Sequence, residues 1–437
     1  MFPSFVIEGD RITRFHTQED ASMNGGGGAH VGVSTRRWIA QRWLIDNVIL
    51  SVGIDWDQPR SVNYNAPCGP EANADFSGIR ERVKKYADIS PAFEIAARRR
   101  EAQAQAAEEE GHDVTARQNY FIAAVHYAAS QWPYDENNDK NISLNQRKRE
   151  CYTRYARLAD HRVEAAWIPF QGKALPGWFH LPPGYTSGVV PTVVSIPGMD
   201  GFKEASVAMY GDRWLARGIA VLTVEGPGQY ESAVLGMHVS MQNWSDAGRA
   251  IMAWLRAKPE VDDERIGVVG QSFGSFFATV CCAAEPRYKA CAVSATCLEP
   301  GFHTIFEEAS PTFKQRFMYM SGYTDEDAFD AFAQTLTWEG LAENIRVPYL
   351  CVAGEMDELS PMEHTMRLMT TLTCPKQLVV YQDCRHSVGN VAATNLGPAP
   401  PVLVADWMNA RLAARSFASE QWFVQSNGQV LKTSFAA

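Results

Sequence analysis

Positive charge is in short supply in this sequence. Lysine and arginine number 40 against 50 aspartates and glutamates, a formal net charge of -10 at pH 7. That balance supplies no basic face, so neither a nucleic acid nor an anionic membrane surface is expected as a partner. The run Arg98-Arg99-Arg100 is followed by Glu101 and Glu108-Glu109-Glu110, and reads as a solvated helix face. No uninterrupted apolar stretch approaches membrane length, and the opening Met1-Phe2-Pro3-Ser4-Phe5 has neither a basic n-region nor a long apolar h-region. No signal peptide or membrane span is therefore expected. The cysteines, nine in all, form no C-x-x-C pair and no metal-ligand spacing, which leaves no metal site in view. Most lie in apolar runs such as Val280-Cys281-Cys282-Ala283, as small core residues of a reducing, cytoplasmic compartment would. The glycine-rich stretch Asn24–Ala29 lacks the Gly-Lys-Ser/Thr ending of a phosphate cradle, so it reads as a mobile connector and no cofactor is expected.

What is present is a soluble globular composition, 46% hydrophobic and 21% charged, in a chain of 437 residues able to bury a large core. Three parts are expected: a flexible arm over 1–34, a helical domain over 35–160 and an α/β domain over 161–437. In the second part apolar residues recur at helical spacing over Trp38–Leu50, Ile79–Tyr86, Ala92–Glu110, Val114–Trp132 and Leu144–Leu158. One stripe carries Tyr120, Ala123, Ala124, Tyr127 and Ala128 with His126 beside it; Tyr120, Tyr127 and His126 are candidates to face a substrate, although such residues are most often simply packed.

From Val163 the period changes. Val163–Phe170 and Ala174–Leu181 read as a hairpin, and then continuous apolar runs alternate with helices: strand Val190–Ile196, helix Lys203–Ala216, strand Ile219–Val224, helix Asn243–Ala257 and strand Ile266–Val269. Further strands are expected at Tyr288–Ala295, Tyr349–Ala353 and Leu378–Tyr381, a helix at Val402–Ala414, and a terminal hairpin around Asn427-Gly428. Buried strands alternating with helices predict a mostly parallel sheet covered on both faces, with the opening hairpin as its antiparallel edge. The insert 298–346, rich in Phe302, Phe306, Phe313, Phe317 and Trp338, reads as a lid over an apolar pocket, with a packing excursion as the alternative.

The chemistry is concentrated at Gly270-Gln271-Ser272-Phe273-Gly274, a G-x-S-x-G string between a strand and a helix. A serine forced out of such a tight turn needs neighbours with almost no side chain, which the two glycines provide. Its hydroxyl becomes a nucleophile only when a histidine takes the proton and a carboxylate steadies that histidine. Asp357 follows one late strand and His386 the next, giving the Ser272, Asp357, His386 order of an α/β-hydrolase. Glu355, Glu358 and Asp383 are rival carboxylates. An oxyanion hole would draw one N–H from Phe273 and a second from Pro197-Gly198-Met199-Asp200-Gly201, with Met199 the expected donor and Asp200 its neighbour in the pocket.

These segments, together with Phe202-Lys203-Glu204 and Glu225-Gly226-Pro227-Gly228-Gln229, resemble the α/β-hydrolases that include the fungal polyketide-shortening yellowish-green-type hydrolases and the bacterial dihydroxypseudooxynicotine hydrolase. The resemblance covers roughly residues 90 to 415. It implies cleavage of a carbon–carbon bond in a ketone, polyketide-like or aromatic acyl substrate by water, and a homodimer. Tyr230 departs from it, standing where a small residue is expected after Gly-Pro-Gly-Gln, and the first ninety residues have no counterpart. A carboxylesterase, lactonase or amidase would use the same parts with another leaving group. A peptidase of the propeller-bearing type is disfavoured by the lack of repeats, and a non-catalytic binding protein on this fold would normally have lost a triad member.

Overall fold

The computed structural model describes residues 34–435. The expected arm 1–34 lies outside them except for Ser34. Among the described residues the helices begin with α1 (Arg36–Val52), whose first turn is capped by Thr35 Oγ1 accepting from the Trp38 amide. They continue with α2 (Arg60–Asn65), α3 (Asn73–Arg82), α4 (Ile89–Glu109), α5 (Asp113–Gln131) and α6 (Asp139–Leu158). Helix α5 lies between α4 and α6 and is buried all round from Asn119 to Gln131. Its alanines let the flanking helices approach, and no face is left for solvent. The helix expected over Ile79–Tyr86 starts and stops earlier: Val83 is extended, and the Asp88 carboxylate accepts from the Lys84 and Lys85 amides to hold a separate turn at Tyr86–Asp88.

The sheet comprises β1 (Val163–Phe170), β2 (Lys173–His180), β3 (Val190–Ile196), β4 (Ala220–Val224), β5 (Val261–Ser272), β6 (Ala290–Thr296), β7 (Tyr349–Gly354), β8 (Lys376–Tyr381), β9 (Glu420–Val424) and β10 (Val430–Ser434). Their order is β1-β2-β4-β3-β5-β6-β7-β8-β9-β10. From β4 to β9 every pairing is parallel, while β1 and β2 at one edge and β10 at the other pair antiparallel. The α/β-hydrolase reading holds, with the opening hairpin at the edge it was assigned. Helices α7 (Tyr230–Val234), α8 (Met241–Arg256), α9 (Phe273–Ala284), α10 (Pro311–Ser321), α11 (Glu326–Ala333), α12 (Met362–Thr371), α13 (Ala392–Leu396) and α14 (Pro400–Leu412) complete the chain. One apolar cluster joins α8 and α9 to the sheet through Trp244, Phe277 and Val268; a second joins α14 to the other face through Met408, Val269 and Leu350.

No helix forms over Lys203–Ala216. Two short turns, Lys203–Ala205 and Leu215–Arg217, stand in its place. The backbone there is claimed by other partners: the Lys203 amide donates to Glu225, the Met209 amide to the Pro67 carbonyl, and the Trp214 and Leu215 amides to the Asp212 carboxylate. Side-chain acceptors of this kind compete directly with the helical ladder.

The insert 298–346 contains a π-helical turn at Thr304–Glu308 followed by α10 and α11. Phe302, Phe306 and Phe317 pack their rings on Phe273. The insert is also tied to the helical region, by Arg37 donating to the Phe306 and Ala309 carbonyls and by Gln315 donating to Asp135 at 2.7 Å. Among the described residues no helix is long and apolar enough to cross a membrane. All nine cysteines are buried and unpaired.

Candidate active site

Strand β5 runs straight into Ser272, which sits at φ 56° and ψ -130°, a backbone conformation that only a firmly held non-glycine residue adopts. The space explains the two glycines. A Cβ on Gly270 would overlap the Gly274 carbonyl, and one on Gly274 would overlap that of Ile196. With both bare, the turn closes and α9 starts at Phe273.

His386 lies on the loop after β8, and its Nε2 is 3.0 Å from Ser272 Oγ. Its Nδ1 faces both oxygens of Asp357, at 3.1 and 3.0 Å, from the loop after β7. The Asp357 carboxylate is fixed in turn by the Leu359 and Ser360 amides, at 2.9 and 3.0 Å. Burial pushes the His386 pKa down, but the Asp357 charge and hydrogen bond, together with the neighbouring Cys297, outweigh it and hold the imidazole pKa well above its ordinary value. The rival acids are occupied elsewhere: Glu358 accepts from the His386 amide and Glu355 from that of Asp383.

The loop after β3 presses against the serine. A Cβ on Gly198 would stand 2.8 Å from Ser272 Cβ and 3.4 Å from its Oγ. Gln229, from the loop after β4, donates through Nε2 to the Pro197 carbonyl at 2.6 Å and reaches the Gly198 carbonyl at 3.4 Å. A trans peptide aims N–H opposite to C=O, so the Met199 N–H points away from Gln229. Beneath the loop Lys203 bridges Glu204, Glu225 and Glu231 at 2.8, 3.0 and 2.8 Å, all of them buried. Burial would raise the Glu231 pKa, yet the Lys203 and Lys148 charges hold it at about 2.

A cavity of about 470 Å³ opens on Ser272, a size suited to a small organic substrate. Met199, Asp200, Phe273 and His386 line it, with Ile305 and Phe313 from the insert. The insert thus contributes to the wall, while its remaining phenylalanines build core. Tyr120 and His126 do not reach the cavity. Tyr120 donates to Glu108 at 2.7 Å, and Tyr127 to Glu101 at 2.6 Å, both carboxylates on α4. His126 is enclosed by Phe76 and Phe93 with Nε2 3.3 Å from Asp75, and burial depresses its pKa. Tyr120 and Tyr127 tie α5 to α4 and α6, and His126 ties it to α3 and α4.

The wall is supplied instead by Gln58, Arg60, Asn63 and Tyr64, a stretch the sequence left unread because it has no periodicity. Arg60 is buried, its guanidinium 4.0 Å above the Trp132 ring, and it bonds to Asp57 and, at 2.8 Å, to Asp200. Gln58 accepts from Ser387 Oγ at 3.1 Å, beside the histidine. Cys297 belongs to the apolar core, and its Sγ is 3.7 Å from Ser272 Oγ and 4.0 Å from His386 Nε2. Among the described residues no group of three or more His, Cys, Asp or Glu is placed to hold a metal ion.

A family model described as esterase FrsA-like matches residues 77–372. An alpha/beta hydrolase, xenA, of Xenoacremonium sinensis is 29% identical over 271 residues, 59% of this chain and 62% of its own length. The chain spans less than two thirds of that relative. The 2,6-dihydropseudooxynicotine hydrolase of Paenarthrobacter nicotinovorans is 27% identical over 353 residues, 78% of this chain and 89% of the relative. A crystal structure of 2,6-dihydroxy-pseudo-oxynicotine hydrolase superposes with a TM-score of 0.70 at 23% identity, covering 82% of this chain and 98% of that one, which extends the likeness of fold into the N-terminal helices. With an α/β-hydrolase sheet in place and the family match running from α3 into the turn after α12, this chain belongs to the FrsA-like esterase family.

Proposed function

We propose that the protein is a serine hydrolase in which Ser272 is the nucleophile, His386 the general base and acid, and Asp357 the group that orients and charges the histidine. The observation that carries this reading is the hydrogen-bonded chain from Ser272 Oγ through His386 to Asp357, built at a strained elbow. Ser272 Oγ adds to the substrate carbonyl as His386 takes its proton, and the N–H groups of Phe273 and Met199 hold the oxyanion. Collapse of the tetrahedral adduct breaks the bond to the leaving group, which takes the proton from His386, and leaves an acyl-enzyme. Water, deprotonated by the same histidine, then releases the acid and restores the serine.

The favoured substrate is a ketone of polyketide-like or aromatic acyl type, cleaved at a carbon–carbon bond and bound in the cavity beside Phe313 and Ile305. The sequence resemblance supports that choice, as does a relative named for hydrolysis of 2,6-dihydropseudooxynicotine that aligns along 89% of its length. A second reading, a carboxylesterase, is supported by the family description. Fluorophosphonate labelling tests the shared chemistry: one adduct is expected on Ser272, and undiminished labelling of Ser272→Ala would sink it. A panel of β-diketones and aryl esters separates the two readings. Turnover of diketones supports the first, and turnover of esters alone assigns the protein to the second.

A further inference from the structure

Tyr230 broke the expected pattern after Gly-Pro-Gly-Gln, and its backbone lies at φ 24°, a conformation that bulky residues keep only when their surroundings enforce it. Its hydroxyl donates to the main-chain carbonyl of Asp200 at 3.1 Å. Tyr64, from α2 of the helical region, donates to the same oxygen at 3.0 Å. The Asp200 carboxylate is held as well, by Arg60 Nε at 2.8 Å and by Trp132 Nε1 at 2.9 Å. Burial keeps both phenols above their ordinary pKa, so each remains a donor at neutral pH.

Asp200 directly follows Met199. On the other side of Met199, Gln229 grips the Pro197 and Gly198 carbonyls. The residue that offers its N–H to the oxyanion is thus suspended between two anchors. The first comes from the loop after β4; the second is assembled largely by residues 60, 64 and 132, which precede the sheet in sequence.

We infer that Tyr64 and Tyr230, backed by Arg60 and Trp132, are positioning residues that aim the Met199 N–H, so that the helical region sets the geometry of the oxyanion hole in addition to walling the cavity. This rests on the reading of Ser272 and Met199 given above. An N–H helps only when it is already pointed at the developing charge, and displacement by a fraction of an ångström weakens that help without changing how the substrate is bound. An element that merely closed the cavity would act on substrate affinity instead.

The test uses the full chain with Tyr64→Phe, Tyr230→Phe and the double variant, which remove the hydroxyls and keep the rings. A fluorophosphonate places its phosphoryl oxygen in the oxyanion hole, so its second-order rate of reaction with Ser272 reports the hole directly. Hydrolysis of a p-nitrophenyl ester gives the split between kcat and KM. Each single variant should lose a few-fold, because the other phenol still holds the carbonyl. The double variant should lose about 10- to 100-fold in phosphonylation rate and in kcat, with KM and melting temperature close to those of the parent. Phosphonylation of the double variant at the parental rate would overturn the inference, as would a loss confined to KM. A parent protein that is not labelled at all would strike the nucleophile reading first, and this inference with it.

Discussion

Replacing Gly198 by alanine tests the oxyanion loop with a single methyl group. The added Cβ would stand 2.8 Å from Ser272 Cβ and 3.0 Å from the Gln271 carbonyl oxygen. Non-bonded carbons settle at about 3.5–4.0 Å, so the loop must retreat by about 1 Å. Gly198 is not among the residues at positive φ, so alanine is acceptable to the backbone and the clash alone is being measured. A shift of about 1 Å in a catalytic group costs on the order of 100-fold, or about 2.7 kcal/mol of barrier, close to the cost of losing one oxyanion donor outright. Overpacking of this kind lowers stability by about 1–3 kcal/mol, which a chain of this size should survive. The measurement is kcat and KM on a p-nitrophenyl ester, with the melting temperature of the same preparation. The expected result is a fall in kcat and kcat/KM together, with KM little changed. A folded Gly198→Ala protein with kcat within about threefold of the parent would refute the argument, since no donor near Gly198 could then matter to the rate.

Three further outcomes follow from the geometry. Because Asp357 raises the His386 pKa, the neutral base accumulates only above that value, so the acid limb of the pH–rate profile should lie above the ordinary histidine value of about 6.5; Asp357→Asn should lower the rate by about 10⁴ and move the limb to lower pH, and a parental limb at or below the ordinary value would contradict the assignment. Lys203→Met removes the central cation from Glu204, Glu225 and Glu231, leaving only Lys148 at 3.9 Å from Glu204 and Glu225 and Arg149 at 3.2 Å from Glu231, and should cost about 3 kcal/mol in denaturant unfolding at pH 7. The Glu231 pKa is depressed to about 2, so its contribution is full above the unfolded carboxylate pKa and is lost as pH falls from about 4.5 toward 2; the variant, which keeps only Lys148 and Arg149 near Glu231, should show a smaller acid-dependent loss. Tyr120→Phe removes the hydrogen bond donated to Glu108 and the one accepted from Arg154 and should change stability by about 1–2 kcal/mol with turnover intact; a marked loss of turnover would show that α5 bears on the cavity after all.

The elbow, the late acid and the late histidine were legible because each lies where an apolar run meets a turn, and that pattern is local. The insert was half legible: its aromatic content marks it as buried, but which rings face Ser272 and which face α9 depends on how it folds back. His126 and Tyr120 misled for a similar reason. A polar residue on an apolar stripe signals burial with a partner, and here the partners are Asp75 and Glu108, placed by tertiary packing. Residues 58–67 carry no period at all, and only their contacts with the Asp200 loop give them a role. The missing helix after Lys203 belongs with them in part, because the Lys203 and Met209 amides are taken by Glu225 and Pro67, which the local sequence does not contain.

The grip on Asp200 also bears on the order in which the protein becomes native. Tyr64 reaches across 136 residues of chain to close it, and Arg60 across 140. Loops of that length form late, after the local pairings of helix and strand have repaid the entropy of bringing distant segments together. A chain that has completed its sheet can therefore already hold its serine, histidine and aspartate in sequence order and yet be slow to acquire activity. On that argument, activity should return on refolding no sooner than the segment around Arg60 and Tyr64 docks on the Asp200 loop.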